Sequence, residues 1–405
     1  MMKKLLLPLG LLALTLMACY SPDPFTAESA GNHESSHASA NGTMYRVNYD
    51  RENDESLQIC NPSISQDTVN FPGAMLWLNF SRKLGVVAPD SEYNVVNSKA
   101  RKVLQHDRLT ISDTAEHVLW YLMRDESKGE CQFQDPEWST HADFIVALRG
   151  YDVDGSKTCS NLDFGIFAVR PSNNAKFWFV EKGMIEMASP HLWVDPSAKI
   201  PKDGDISTVE GFFGTNNVRL VYAEGSDKPL NIVFIDYANG GKKNAVSLKK
   251  PKDRSDWKID APLISPDGKY VVYNMYESST SWEAYVQELS KDAEPIKIER
   301  MHEKMSEPAQ PHWFESNGLL FVLWAEFPIG SSMVNDKDLT IADDGSVGYT
   351  VMREIRLLTG VPKVIEAKWE GDAFEIAKVP MTGGLSPDGK FLATGTNNAY
   401  LLKLP

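Results

Sequence analysis

From about residue 58 onward the chain is a succession of short apolar runs cut by turn-forming residues. Runs such as Tyr270-Val271-Val272-Tyr273 and Phe391-Leu392-Ala393-Thr394 lack polar alternation, the pattern of strands buried on both faces. Each follows a Ser-Pro-Asp-Gly tetrapeptide, Ser265 to Gly268 and Ser386 to Gly389. Proline presets φ at the second turn position, aspartate bonds its own backbone, and glycine takes the left-handed conformation. Asp267, Gly268, Asp388 and Gly389 are therefore structural turn residues. A looser copy, Asn61-Pro62-Ser63-Ile64-Ser65-Gln66-Asp67, parallels Ala261-Pro262-Leu263-Ile264-Ser265-Pro266-Asp267 and adds Asp67 to that set.

Counting polar turns that precede apolar runs gives seven units, starting near residues 65, 112, 171, 214, 265, 315 and 386. Spacings of this order belong to propeller blades with insertions. One unit displays a whole blade: Asp260–Ile264, Tyr270–Glu277, Trp282–Leu289 and Pro295–Glu299 as strands A to D. The pattern predicts an all-β fold, a β-propeller of four-stranded blades, with seven blades preferred and six or eight possible. The last unit has no D strand after Ala399–Leu404. Tyr45–Tyr49 has strand-forming residues and is expected to fill that place and close the ring.

On these repeats the chain resembles the WD40-like propeller repeats of the TolB-like family, over roughly residues 58–405. The N-terminal α/β domain of that family is not visible, so its partners are not implied. The resemblance implies that B–C and D–A loops share one face and that the A–B turns lie on the other. Long connections are expected to carry the binding surface. They are Asp125–His141 with Trp138 and His141, Gly183–Asp205 with His191 and Trp193, and Phe327–Gly348 with Asp336 and Asp338.

The N-terminus reads as an address. Lys3 and Lys4 precede an apolar stretch, Leu5 to Met17, too short to span a bilayer. Leu16-Met17-Ala18-Cys19 resembles a bacterial lipobox, which implies cleavage before Cys19 and acylation of its thiol. Tyr20 in place of an aspartate favours the outer membrane. The expected organisation is a signal peptide (1–18), an acylated cysteine with a disordered tether (19–42), and a propeller (43–405). His33-Glu34-Ser35-Ser36-His37 matches a zincin pattern, but its Gly/Ala/Ser/Asn flanks provide no buried helix.

The formal charge of −14 argues against a nucleic-acid partner. No nucleotide loop, nucleophile elbow, cofactor motif or metal-ligand set is found, so no catalytic residue, metal or cofactor is assigned. Among the cysteines beyond Cys19, Cys131–Cys159 is the preferred disulfide, with Cys60 left unpaired. The resulting expectation is a membrane-anchored module that binds a protein or glycan on its long-loop face. The alternative is a propeller-type polysaccharide lyase or hydrolase with a site at the ring centre. Convergence of several histidines on the axis would favour the alternative.

Overall fold

The computed structural model describes residues 36–405 except 40–41, 48, 51–54, 57–58, 80–105, 116, 154–161, 185–186, 202–203, 225–230, 279, 329–347, 359–365, 380 and 396–398. A hairpin, β1 (Ser36–Ser39) and β2 (Gly42–Arg46), precedes a small ribbon, β3 (Tyr49–Asp50) and β4 (Glu55–Ser56). Blade 1 is β5 (Ile59–Ile64), β6 (Met75–Asn79), β7 (Arg108–Ser112) and β8 (Val118–Met123). Blade 2 is β9 (Glu130–Trp138), β10 (Ile145–Asp152), β11 (Leu162–Val169) and β12 (Lys176–Met184). Blade 3 is β13 (Met187–Val194), β14 (Val218–Glu224), β15 (Asn231–Asp236) and β16 (Asn244–Ser247). Blade 4 is β17 (Lys258–Ile264), β18 (Tyr270–Ser278), β19 (Ser281–Glu288) and β20 (Ile296–Lys297). Blade 5 is β21 (Ala309–Ser316), β22 (Leu319–Glu326), β23 (Tyr349–Leu358) and β24 (Glu366–Ala377). Blade 6 is β25 (Met381–Leu385), β26 (Phe391–Gly395) and β27 (Ala399–Lys403), with β2 beside β27 and β1 outside β2. Each first strand neighbours the next, and β25 returns to β5, so six first strands surround one axis.

Six blades replace the expected seven. The turns near 112 and 171 join the third and fourth strands of blades 1 and 2, β7 to β8 and β11 to β12, and so begin no blade. The A–B turn of blade 2, Ser139 to Phe144, has neither Gly nor Pro and escapes a count based on turn residues. Two units are lost and one is gained. The other turns behave as their chemistry dictates: Gly268 and Gly389 have φ of 75° and 72°, and each N–H bonds the carbonyl of the turn's serine at 2.8 Å.

Thr43 to Arg46 run antiparallel to Lys403 to Tyr400, a few residues earlier than the segment Tyr45–Tyr49 expected there. A Cβ on Gly42 would meet the Lys403 carbonyl oxygen at 1.9 Å, so only glycine fits where the chain enters this ladder. Residues 36–39, expected to be part of a disordered tether, pair with β2, and His37 of the zincin-like pattern therefore sits on a strand.

A second repeat marks the axis. Asn61-Pro62, Asp135-Pro136, Ser189-Pro190, Ala261-Pro262 and Gln310-Pro311 occupy equivalent places in five first strands, and Gly383-Gly384 the sixth. At every one of these sites the first strand carries extra residues against its neighbour: Cys60 to Ser63 faces Leu78 to Leu76, and Ala188 to His191 faces Ala223 to Val221. Proline has no N–H to give a ladder, so it fits the unpaired place in a bulge. Asp135, Ser189, Ala261 and Gln310 take φ of 44° to 51°, the left-handed region that a bulge can demand.

The hydrophobic core is divided among the gaps between blades. The gap between blades 2 and 3 buries Val146, Leu148, Ile166, Leu192, Leu220 and Ile235 around an aromatic nest from α1 (Val209–Phe213). Thr208 caps that helix through its side chain at 3.1 Å, and Gly214 ends it at φ 74°. The gap between blades 6 and 1 holds a smaller cluster, Val47, Ile64, Met75, Trp77, Ala393 and Leu401.

Candidate functional site

The side chain that follows each bulge points toward the axis. Glu137, His191, Leu263, His312 and Leu385 line one cavity of about 450 Å³. Ser63 takes the sixth place and donates its hydroxyl to Glu137 Oε1 at 2.5 Å. The mouth lies among A–B turn residues, including Gln66, Thr140, Pro196, Pro266 and Pro387. The cavity therefore opens at the end of the ring opposite the B–C and D–A connections, where sequence reasoning placed the binding face.

On the axial ring, Glu137, His191 and His312 are neutral near pH 7; Glu315 also lines the cavity, from the exposed end of β21. Burial pushes the Glu137 carboxyl up to about 8; the Ser63 bond opposes this and the Asp135 charge adds to it. Burial takes His191 down to about 3 and His312 down to about 4. His191 accepts the Ile264 N–H on Nδ1 at 2.9 Å, so it ties blade 3 to blade 4 and carries its own proton on Nε2. His312 differs. Its Nδ1 lies 2.9 Å from the Gln310 carbonyl, which can only accept, so the proton is on Nδ1 and Nε2 carries a lone pair. Trp313 and Phe314 also line the cavity, but from opposite faces of β21: Trp313 packs between blades 4 and 5 with its indole N–H on the Leu263 carbonyl at 2.9 Å, and Phe314 between blades 5 and 6.

Toward the other end of the axis the bulges expose backbone N–H groups, and neighbouring side chains cap them. Asp135 Oδ2 accepts from Ser189 N at 2.9 Å, Asp260 Oδ1 from Ala261 N at 2.9 Å, and Asn274 Oδ1 from Gln310 N at 2.6 Å. Ser189 Oγ also reaches Asp260 Oδ1 at 3.2 Å, so one serine links two carboxyl groups. Burial raises the Asp260 carboxyl above the ordinary range. Among the described residues no group of three or more His, Cys, Asp or Glu side chains could hold a metal ion.

The expected site residues separate. Trp138, His141 and His191 line the axial cavity, but on or beside first strands and not on long loops. The stretches 125–141 and 183–205 turn out to contain β9 and β13 themselves. Trp193 is 5% exposed, under the blade 4 turn, with its indole N–H on the Pro266 carbonyl at 2.7 Å. Trp138 is 2% exposed, packs edge-on to Phe71 and donates to the Ala142 carbonyl at 3.1 Å, so both rings serve the core first. His141 is tied to its own turn through Asp143 N at 3.2 Å. Asp336, Asp338 and Cys159 lie outside the described residues, and Cys131 is buried. Glu137 and His312 were missed. The residue-Pro-residue repeat, read as a unit, would have found both.

Near the blade 5 loop roots, His302 lies between two carboxylates. Nδ1 is 2.6 Å from buried Glu326 and Nε2 is 2.8 Å from Glu375, while the ring stacks on Tyr349 at 4.6 Å.

No protein-family model matches the chain, and no curated protein matches it. Solved structures do. TolB from Acinetobacter baumannii is 13% identical with a TM-score of 0.42, over 83% of this chain and 64% of that one. A Penicillium chrysogenum α-L-arabinanase complexed with arabinobiose is 12% identical with a TM-score of 0.47, over 91% of this chain and 98% of that one. U3-55K is 10% identical with a TM-score of 0.41, over 89% and 98%. The likeness is one of chain architecture.

Proposed function

We propose that this propeller is a binding module that receives an uncharged part of a protein or glycan partner in its axial cavity. The observation that carries the reading is the cavity itself, on which all six first strands converge and whose axial titratable groups, Glu137, His191 and His312, are kept neutral near pH 7. At about 450 Å³ it falls within the range of small-molecule sites, which run to roughly 300–1,000 Å³. Ligand-observed NMR against uncharged oligosaccharides and capped peptides tests the reading. A ligand that binds the parent protein should be lost when Gln66→Trp plugs the mouth. Binding that survives the plug and Glu137→Ala would place the site elsewhere.

Two observations favour a hydrolase as the second reading: three histidines, His141, His191 and His312, line the axial cavity, and Ser189 links Asp135 and Asp260, with burial holding the latter toward its protonated form. A protonated and an ionised carboxyl at one site is the acid–base arrangement of glycoside hydrolysis. Turnover of a polysaccharide that Asp260→Asn abolishes would establish it.

Anchoring and the disulfide belong to the proposal as well. Acylation at Cys19 would tether the module to the outer membrane, and Cys19→Ser should then move it to the soluble fraction. A Cys131–Cys159 bridge should appear as a linked pair in non-reducing peptide maps; linkage to Cys60 would reject it.

A further inference from the structure

The cavity offers one donor and one acceptor in fixed places. With Oε1 of Glu137 taken by the Ser63 hydroxyl, the neutral acid presents Oε2–H. Ser63 is itself held, because its Oγ accepts the Trp138 N–H at 3.0 Å. His312 cannot turn its lone pair away, because Nδ1–H is committed to Gln310 and the ring lies against Gly384, where an added Cβ would come within 3.0 Å of it. Both groups line the same cavity, and His191, the other titratable side chain on the axial ring, has its acceptor nitrogen Nδ1 taken by the Ile264 N–H, which leaves His312 Nε2 as the imidazole acceptor of that ring.

We propose that the cavity recognises the uncharged, hydroxyl-bearing end of a saccharide, whose hydroxyls accept from the Glu137 carboxylic acid on one side of the axis and donate to His312 Nε2 on the other. This rests on the binding-module reading and names its ligand class. A hydroxyl is both donor and acceptor, so the hydroxyls of one sugar unit can serve both groups. The apolar parts of Trp313, Phe314, Leu263 and Leu385 in the lining suit the C–H surface of a sugar ring. A peptide terminus fits worse, since either end is ionised near pH 7 and would enter a site that holds its own groups neutral.

The test uses the full chain and calorimetry with neutral gluco-, xylo- and chito-oligosaccharides, and with peptides bearing free or capped ends. At least one neutral saccharide should bind at pH 6.5. Glu137→Gln keeps a donor and should retain binding within about threefold, whereas Glu137→Ala and His312→Phe should each weaken it by about tenfold or more, about 1.4 kcal/mol per tenfold. Wild-type affinity should fall above about pH 8 as Glu137 ionises, and Glu137→Gln should abolish that fall. Circular dichroism and melting curves confirm that each variant is folded. Three results would overturn the inference: no neutral saccharide binding at millimolar concentration, tighter binding of a capped, uncharged peptide than of any saccharide, or equal loss in Glu137→Gln and Glu137→Ala. The second leaves the axial binding reading intact, whereas binding indifferent to Gln66→Trp removes both.

Discussion

Two gaps between blades show how unevenly the ring is held. Between blades 2 and 3, seventeen described side chains are buried together, and α1 adds Phe212 and Phe213 to Phe144 and Phe177 with ring centroids 4.8–5.7 Å apart. Between blades 6 and 1, where the two ends of the propeller chain meet, six described side chains are buried. The thin gap compensates with hydrogen bonds. Ser112 Oγ donates to the Val47 carbonyl at 3.0 Å and accepts from Trp77 Nε1 at 2.8 Å, so one hydroxyl ties the N-terminal segment to blade 1. The thick gap is built from residues close in sequence and can form early, while the seam waits for the last strand to find the first.

The contrast can be broken most forcefully at the seam. Deleting residues 42–47 removes Met44 and Val47 from the core and a ladder from blade 6. At about 1.5–3 kcal/mol per buried side chain and about 1 kcal/mol per bond, the loss is on the order of 6 kcal/mol. Chemical denaturation should show it, while deleting residues 20–35 should leave the midpoint unchanged. Equal effects would mean that the seam does not close the ring. Phe213→Ala attacks the thick gap and should cost about 3–5 kcal/mol, the range for a fully buried phenylalanine. Ser112→Ala isolates the seam's polar tie. It strands a buried carbonyl and an indole N–H and should cost about 1–3 kcal/mol; a value near zero would show that the tie is dispensable.

The smallest expected effect comes from His302, which belongs to neither gap and serves as a control. Burial lowers its pKa, but bonds to Glu326 and Glu375 outweigh that, and the net shift is upward. A histidine whose folded pKa is raised stabilises fully below its unfolded value, near 6.5, and loses that stabilisation as pH rises through the folded value. Wild type should therefore exceed His302→Gln in stability at pH 5.5, and the two should converge in alkali. A difference that grows with pH would reverse the assignment.

The blade 4 strands were legible because Ser-Pro-Asp-Gly announces its own geometry and the runs after it are apolar throughout. Blade number was not, because a third-to-fourth-strand hairpin such as Pro171–Asn174 uses the same polar residues as an A–B turn. Trp193 and Trp138 looked like loop aromatics only because β13 and β9 were hidden inside segments read as insertions. The axial site was the least visible. A glutamate and a histidine after proline carry no motif individually, and their neutrality depends on burial that appears only once the ring is assembled.

Each first strand has one edge against its blade and the other toward the axis, and the bulge places a proline there in five of six cases. A ligand on the axis therefore meets few backbone donors and cannot add itself as another strand. On the binding reading, discrimination would fall to one side chain per blade: Glu137, His191, Leu263, His312 and Leu385 on the cavity wall, with Ser63 of blade 1 holding Glu137. Such a channel works like a six-letter lock, in which a letter can be changed by mutation with the scaffold left standing, and descendants of one ring can come to hold different guests.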